Sequence, residues 1–164
     1  MPAPQKSVLL QHPKAVAGQV AYNRPIDQFT GVVDDNDDVL QHGDFVTITG
    51  GADSGGWLVK KAVGTRIDGV VVFDYTQEGK LKKGTNVSVL RKGVIWIDKT
   101  RNVSGSITAL GAFHFEAASG KLKTGAAAAA GDLTIYGPLV LLNTSGNLWP
   151  LEVNLPAAQA VHSG

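Results

Sequence analysis

The chain has no cysteine. Disulfides, zinc–thiolate sites, iron–sulfur clusters and cysteine nucleophiles are therefore excluded, and stability must come from packing, with oligomerisation as an optional addition. Charge is scarce as well: Asp, Glu, Lys and Arg together make up 18% of the 164 residues, below the usual quarter. Fifteen basic residues against 14 acidic ones leave a formal charge of +1. Such a balance argues against a nucleic-acid binder working by counterion release, and against docking on an anionic membrane. No apolar run approaches the roughly 20 residues that cross a bilayer. The opening MPAPQKSVLLQHPK has no signal-peptide core, which predicts synthesis in the cytoplasm without secretion.

Glycine is abundant, at 20 residues, and the seven prolines favour turns and short strands over long helices. Pro2, Pro4, Pro13 and Pro25 break up residues 1–30, which read as a partly extended N-terminal arm with one apolar stretch, Val8-Leu9-Leu10. Residues 31–156 read as a single β domain, and 157–164 as a flexible tail. Asp44–Thr49 and Ile67–Tyr75 carry strand composition. Ala112–Glu116 and Ala118–Leu122 form a hairpin pattern, and Leu133–Asn143 and Leu148–Leu155 are the last two strands. Pro138 and Pro150 place these two at edges or bulges. Gly50–Gly56 reads as a flexible loop, and Ala126–Ala130 as one helical turn at most. About nine or ten short strands with turn residues between them predict an all-β fold, a compact antiparallel β-barrel or sandwich.

Residues 83–98, KGTNVSVLRKGVIWID, pose the sharpest local question. Val87 and Val89 alternate with polar residues, as on a half-exposed strand, while Val94–Ile97 is a run suited to burial on both faces. Gly93 is either the turn residue of a hairpin or a bulge in one long bent strand. Arg91 and Lys92 are then exposed at a bend, available to a neighbouring subunit.

Motifs for chemistry are weak. Asp34, Asn36 and Asp38 alternate as calcium ligands do, but Val39 stands where a calcium loop needs glycine. His12, His42, His114 and His162 have no partner at metal-ligand spacing, and His114 reads as solvent-facing or interfacial. Asn102–Ser106 lacks one glycine of a nucleophile elbow. No catalytic residue, cofactor site or metal site is assigned.

Several segments together resemble the cement, or decoration, proteins of tailed-bacteriophage capsids. They are Gly18-Gln19, Asp68-Gly69-Val70-Val71-Val72, the stretch Gly84–Ile97, GAFHFEAASGKLKTG, and the closing strands Gly146–Leu155. The resemblance spans roughly residues 15–156; Thr85 departs from the acidic residue usual at its position. It implies a non-enzymatic virion protein, made in the host cytoplasm, on the outer surface of the capsid. Its implied partners are the major capsid protein and itself, as a homotrimer in preference to a dimer. Candidate interface residues are Val8, Leu9, Leu10, Trp57, Arg91, Lys92 and Trp149. Two rival readings are a β-sandwich module that stacks a host glycan on Trp57 or Trp149, and a hydrolase built around His114. For each tryptophan, core or subunit-interface packing is the favoured alternative to a glycan platform.

Overall fold

The structure, a computed structural model, describes residues 15–21, 26–36, 39–62, 66–77, 79–104, 113–116, 119–124, 130–136, 140–142, 146–155 and 158–161. It is nearly all β, as the composition predicts. The strands are β1 (Val20–Ala21), β2 (Asp27–Val33), β3 (Phe45–Gly51), β4 (Trp57–Lys61), β5 (Gly69–Val71) and β6 (Asn86–Asp98). A single turn of helix, α1 (Lys99–Asn102), follows. Then come β7 (Phe113–Phe115), β8 (Leu122–Thr124), β9 (Leu133–Tyr136), β10 (Val140–Leu141), β11 (Leu148–Asn154) and β12 (Ala158–Val161).

Strands β6, β2, β4, β3 and β5 pair in that order, and β5 pairs back to β6, closing a five-stranded barrel. Its seams are antiparallel except β2–β4, which is parallel. Five strands leave a narrow interior. Valine fills it, with Val33, Val46, Val59, Val71, Val87 and Val89 joined by Leu40 and Leu81 from the connections. Gly31 belongs to this interior, where a Cβ would stand 3.0 Å from the Val59 side chain and 3.2 Å from that of Val89.

A second core lies outside the barrel wall. Phe45, Val70, Leu90, Ile95, Ile97, Trp149, Leu151 and Val153 meet Phe115, Leu122 and Leu133 of a four-stranded sheet ordered β12-β9-β7-β8. Phe45 and Phe115 pack edge to face at 4.8 Å. Alternation along a strand explains the double core. Val71 and Val89 point into the barrel; their neighbours Val70 and Leu90 point out to the second core. That wall is buried on both faces, so its sequence is continuously apolar.

Strand β6 settles the question posed by residues 83–98. It is one strand of 13 residues, not a hairpin. Its first half pairs with β2 and β5, its second half with β1 and β11. Against β2 the register runs Gln28↔Leu90 and then Asp27↔Lys92, so Arg91 is an extra residue. Such a bulge resets the alternation: Leu90 faces the second core, and beyond the bulge it is Ile95 and Ile97 that do. Gly93, at φ +140°, lies in this irregular stretch.

Other expectations change. Gly50 and Gly51 end β3, and Ala52–Gly56 is a turn closed by the Ala52 N–H donating to Gly56 O at 2.9 Å. Only Gly69–Val71 of the run Ile67–Tyr75 is strand. Beyond it, Val72 donates to Ser88 O and Phe73 to Gly18 O. Strands β1 and β2 begin within the stretch read as arm, because β6 extends far enough to pair with both. Residues 158–161, read as tail, form β12 on β9. The hairpin at β7–β8 is as expected. Pro150 lies within β11, and its carbonyl accepts from Leu142 N, so its missing N–H faces the short strand β10, away from the long ladder with β6.

Candidate interaction surface

The inward-facing rows of the barrel continue past the valine core to one open end. There Phe29 and Ile48, both half-buried, pack on the core. With Trp57, Arg66, Asp68 and Arg91 they line a shallow cleft. Trp57 follows the parity of Val59, and Arg91 that of Val87 and Val89, carried to the rim by the bulge. The Trp57 side is half exposed, at 50%.

The polar groups of this cleft are unevenly satisfied. Asp68 is buried and its carboxylate accepts from Arg66 Nε at 2.6 Å, Ile48 N at 2.8 Å and Thr47 Oγ1 at 3.3 Å. Among the described residues, Arg66 commits only its Nε, and Arg91 stands 4.0 Å from Asp27 without a side-chain hydrogen bond. Among the described residues the Trp57 indole N–H has no acceptor.

Of the expected interface residues, the structure brings Trp57 and Arg91 together. Lys92 is exposed next to Arg91 but does not line the cleft. Trp149 is 3% exposed in the second core; its indole donates to Gly146 O at 2.9 Å, and the Lys99 ammonium lies 5.0 Å above its ring. Core packing, the favoured alternative, therefore holds for Trp149. Val8, Leu9 and Leu10 lie outside the described residues, as do His12, His162, Asp37, Asp38, Gly105, Ser106 and Ala126–Ala129. Phe29, Ile48 and Arg66 were not singled out from sequence. For Phe29 and Ile48 the signal was the inward parity of β2 and β3, readable only once the register is known; Arg66 lies in the connection before β5 and carried none.

The remaining polar clusters hold the fold. Asp44, fully buried, receives Arg101 through Nε at 3.1 Å and Nη2 at 2.7 Å, and Gln41 N at 2.9 Å. Asn102 adds a bond at 3.3 Å. This pins α1 to the loop before β3, and Asp44 holds the Arg101 guanidinium still more firmly protonated than usual. Lys83 Nζ sits 2.8 Å from Asn36 Oδ1 and 3.4 Å from Asp34, so an ammonium occupies oxygens of two of the three residues weighed as calcium ligands. Among the described residues, no group of three or more His, Cys, Asp or Glu is placed to hold a metal. His114 is buried, not solvent-facing, with Nδ1 3.0 Å from Thr134 Oγ1. Thr134 is its cross-strand partner on β9, so the two side chains share one face of the sheet and meet there.

Two further clefts flank Phe73. One is lined by Asp74, Tyr75, Asn86 and Ser88, the other by Val16, Ala17, Gln41 and His42. His42 packs edge-on to Phe73 at 5.1 Å, and its Nε2 is buried without a partner among the described residues. Burial pushes its pKa below the ordinary value, against the opposing pull of Asp74 and Asp44.

A family model described as "Structural cement protein (E217 gp24/Pam3 gp6)" matches residues 4–154. No curated protein matches the chain. Among solved structures, a chain from the capsid of Myoviridae phage XM1 is similar, with a TM-score of 0.60 and 19% identity. The match covers 93% of this chain and 98% of that one, and at such identity it speaks to fold.

Proposed function

The chain belongs to the phage structural cement protein family, and from that premise we propose that it binds the exterior of the capsid and stabilises the head by bridging major capsid protein subunits. Its role is structural and its place is the phage virion. The observation that carries the reading is the family match over residues 4–154, which takes in the barrel and nearly all of the second core. The mechanism is interface burial. Each copy adds contacts that the bare lattice lacks, and symmetry repeats them over the shell. A barrel wall packed on both faces supports this, because a clamp transmits strain only if it does not deform. The reading includes assembly as a homotrimer, and contacts from Val8, Leu9 and Leu10 to the capsid or a neighbouring copy.

The test is to add purified protein to heads of its own phage that lack it. Binding at saturable occupancy, with density on the outer surface by cryo-electron microscopy and greater resistance of the heads to heat, is expected. Absence of binding overturns the reading. A chain lacking residues 1–15 that binds and protects equally well removes the arm from the mechanism and leaves the rest.

A second reading, glycan recognition, rests on one observation: Trp57 presents half of its surface beside polar groups in a cleft.

A further inference from the structure

We propose that the open end of the barrel is the docking site for an acidic peptide segment of the capsid protein, a carboxylate seated against Arg66 and Arg91 with its apolar neighbour on Phe29, Ile48 and Trp57. The proposal rests on the capsid reading above and names the chemistry of its partner.

The argument is one of complementarity. The cleft offers hydrogen-bond donors in excess. Arg66 uses one of its nitrogens, Arg91 has a distant counter-charge only, and the Trp57 N–H is unused among the described residues. The one carboxylate lining the cleft among the described residues, Asp68, already accepts from three donors. What is missing is an acceptor. A guanidinium fork matches a carboxylate in two parallel bonds, a geometry that a neutral hydroxyl does not reproduce. The floor is apolar and the indole half covered, as in an interface anchor that becomes buried on binding. Asp68 has a positioning role: it holds Arg66 at Nε and leaves the two terminal nitrogens without a partner among the described residues.

The experiment compares four proteins on heads lacking the cement protein: wild type, Arg91→Glu, Trp57→Ala, and Lys80→Glu as an equal charge change outside the cleft. Circular dichroism and thermal melts confirm that each is folded; Arg91 and Trp57 are surface positions with no bond to lose beyond a 4.0 Å pair. Arg91→Glu and Trp57→Ala should each weaken binding by about tenfold or more, with Lys80→Glu near wild type. Wild-type affinity should fall with salt, and that of Arg91→Glu less steeply. Failure of wild type to bind heads overturns the capsid reading and this site with it. Binding by Arg91→Glu equal to Lys80→Glu overturns the site alone. Loss with Trp57→Ala but not with Arg91→Glu indicates a neutral ligand, such as a sugar, and also overturns it.

Discussion

Gly18 carries φ +83°, and a Cβ there would meet Val71 O at 2.8 Å, Gly43 N at 2.9 Å and Phe73 N at 2.9 Å. All three are backbone atoms, so no rotamer change can make room. Its own N–H donates to Trp96 O, and its carbonyl accepts from Phe73 N, tying the chain before β1 to β6 and to the segment after β5. Gly18→Ala should cost roughly 2–3 kcal/mol through strain and displaced backbone, lowering the melting temperature by about 5–10 °C. An unchanged melting curve would contradict this packing. The Gly18-Gln19 pair was visible in the sequence as a motif; its cause was not, because the crowding atoms lie more than 20 residues away. His42 supports a second residue-scale prediction. Its folded pKa lies below the ordinary 6.5, chiefly through burial, so the unfolded chain takes up the proton first as pH falls. Stability should therefore hold above about pH 6.5 and decline as pH drops below it toward the folded pKa. In His42→Phe that decline should be shallower. Denaturant melts between pH 7.5 and 5 measure both slopes; parallel slopes would exclude His42 as the titrating group.

At the scale of elements, β12 is the instructive case. Its composition, small and polar, carries no strand signal, and a sequence reading takes it for a tail. What fixes it is Gln159, whose side-chain amide donates to Ile67 O at 2.6 Å and whose carbonyl accepts from Ile67 N at 2.9 Å. Ile67 is buried, so both backbone groups depend on that one amide. Gln159→Ala should cost about 1–3 kcal/mol, measured by urea unfolding, by leaving two buried groups unpaired. A loss well under 1 kcal/mol would mean that water replaces the amide. The contrast with β6 shows what was legible. Val94–Ile97 announces burial on both faces by its unbroken apolar run, and the strand is there. A bulge in one long bent strand was one of two alternatives the sequence left open at Gly93; that it is the right one, and that Arg91 is the extra residue, shows only relative to β2. Trp57 and Trp149 make the same point: one residue type, one at the rim and one in the core, decided by register rather than by neighbours in sequence. The cleft was legible in two of its six residues, Trp57 and Arg91, and the other four needed the closed barrel to converge.

For the whole molecule, the decisive feature is that two cores share one wall. Val89 and Leu90 are adjacent, and each is fully buried in a different core. Leu90→Ala should cost about 2–5 kcal/mol, and Val89→Ala less, since it removes less volume from a narrower space. Because β5 and β6 serve both cores, each variant should still unfold in a single transition, with tryptophan fluorescence and far-ultraviolet circular dichroism coincident. Separate midpoints for the two probes would show that barrel and outer sheet melt independently. The all-β class followed from composition and turn spacing. The sharing of a wall did not, because it rests on the β5–β6 and β3–β5 pairings that close the ring.

Strand β6 also has a mechanical consequence. Its 13 residues extend for ~43 Å at about 3.3 Å each. The ladders to β2 and β5 hold one end and those to β1 and β11 hold the other. Tension along this strand acts parallel to neighbouring strands, so it loads their hydrogen bonds in shear, many at once, instead of peeling them one by one. A pull delivered at the Arg91 rim enters the molecule at its middle, and both halves resist together.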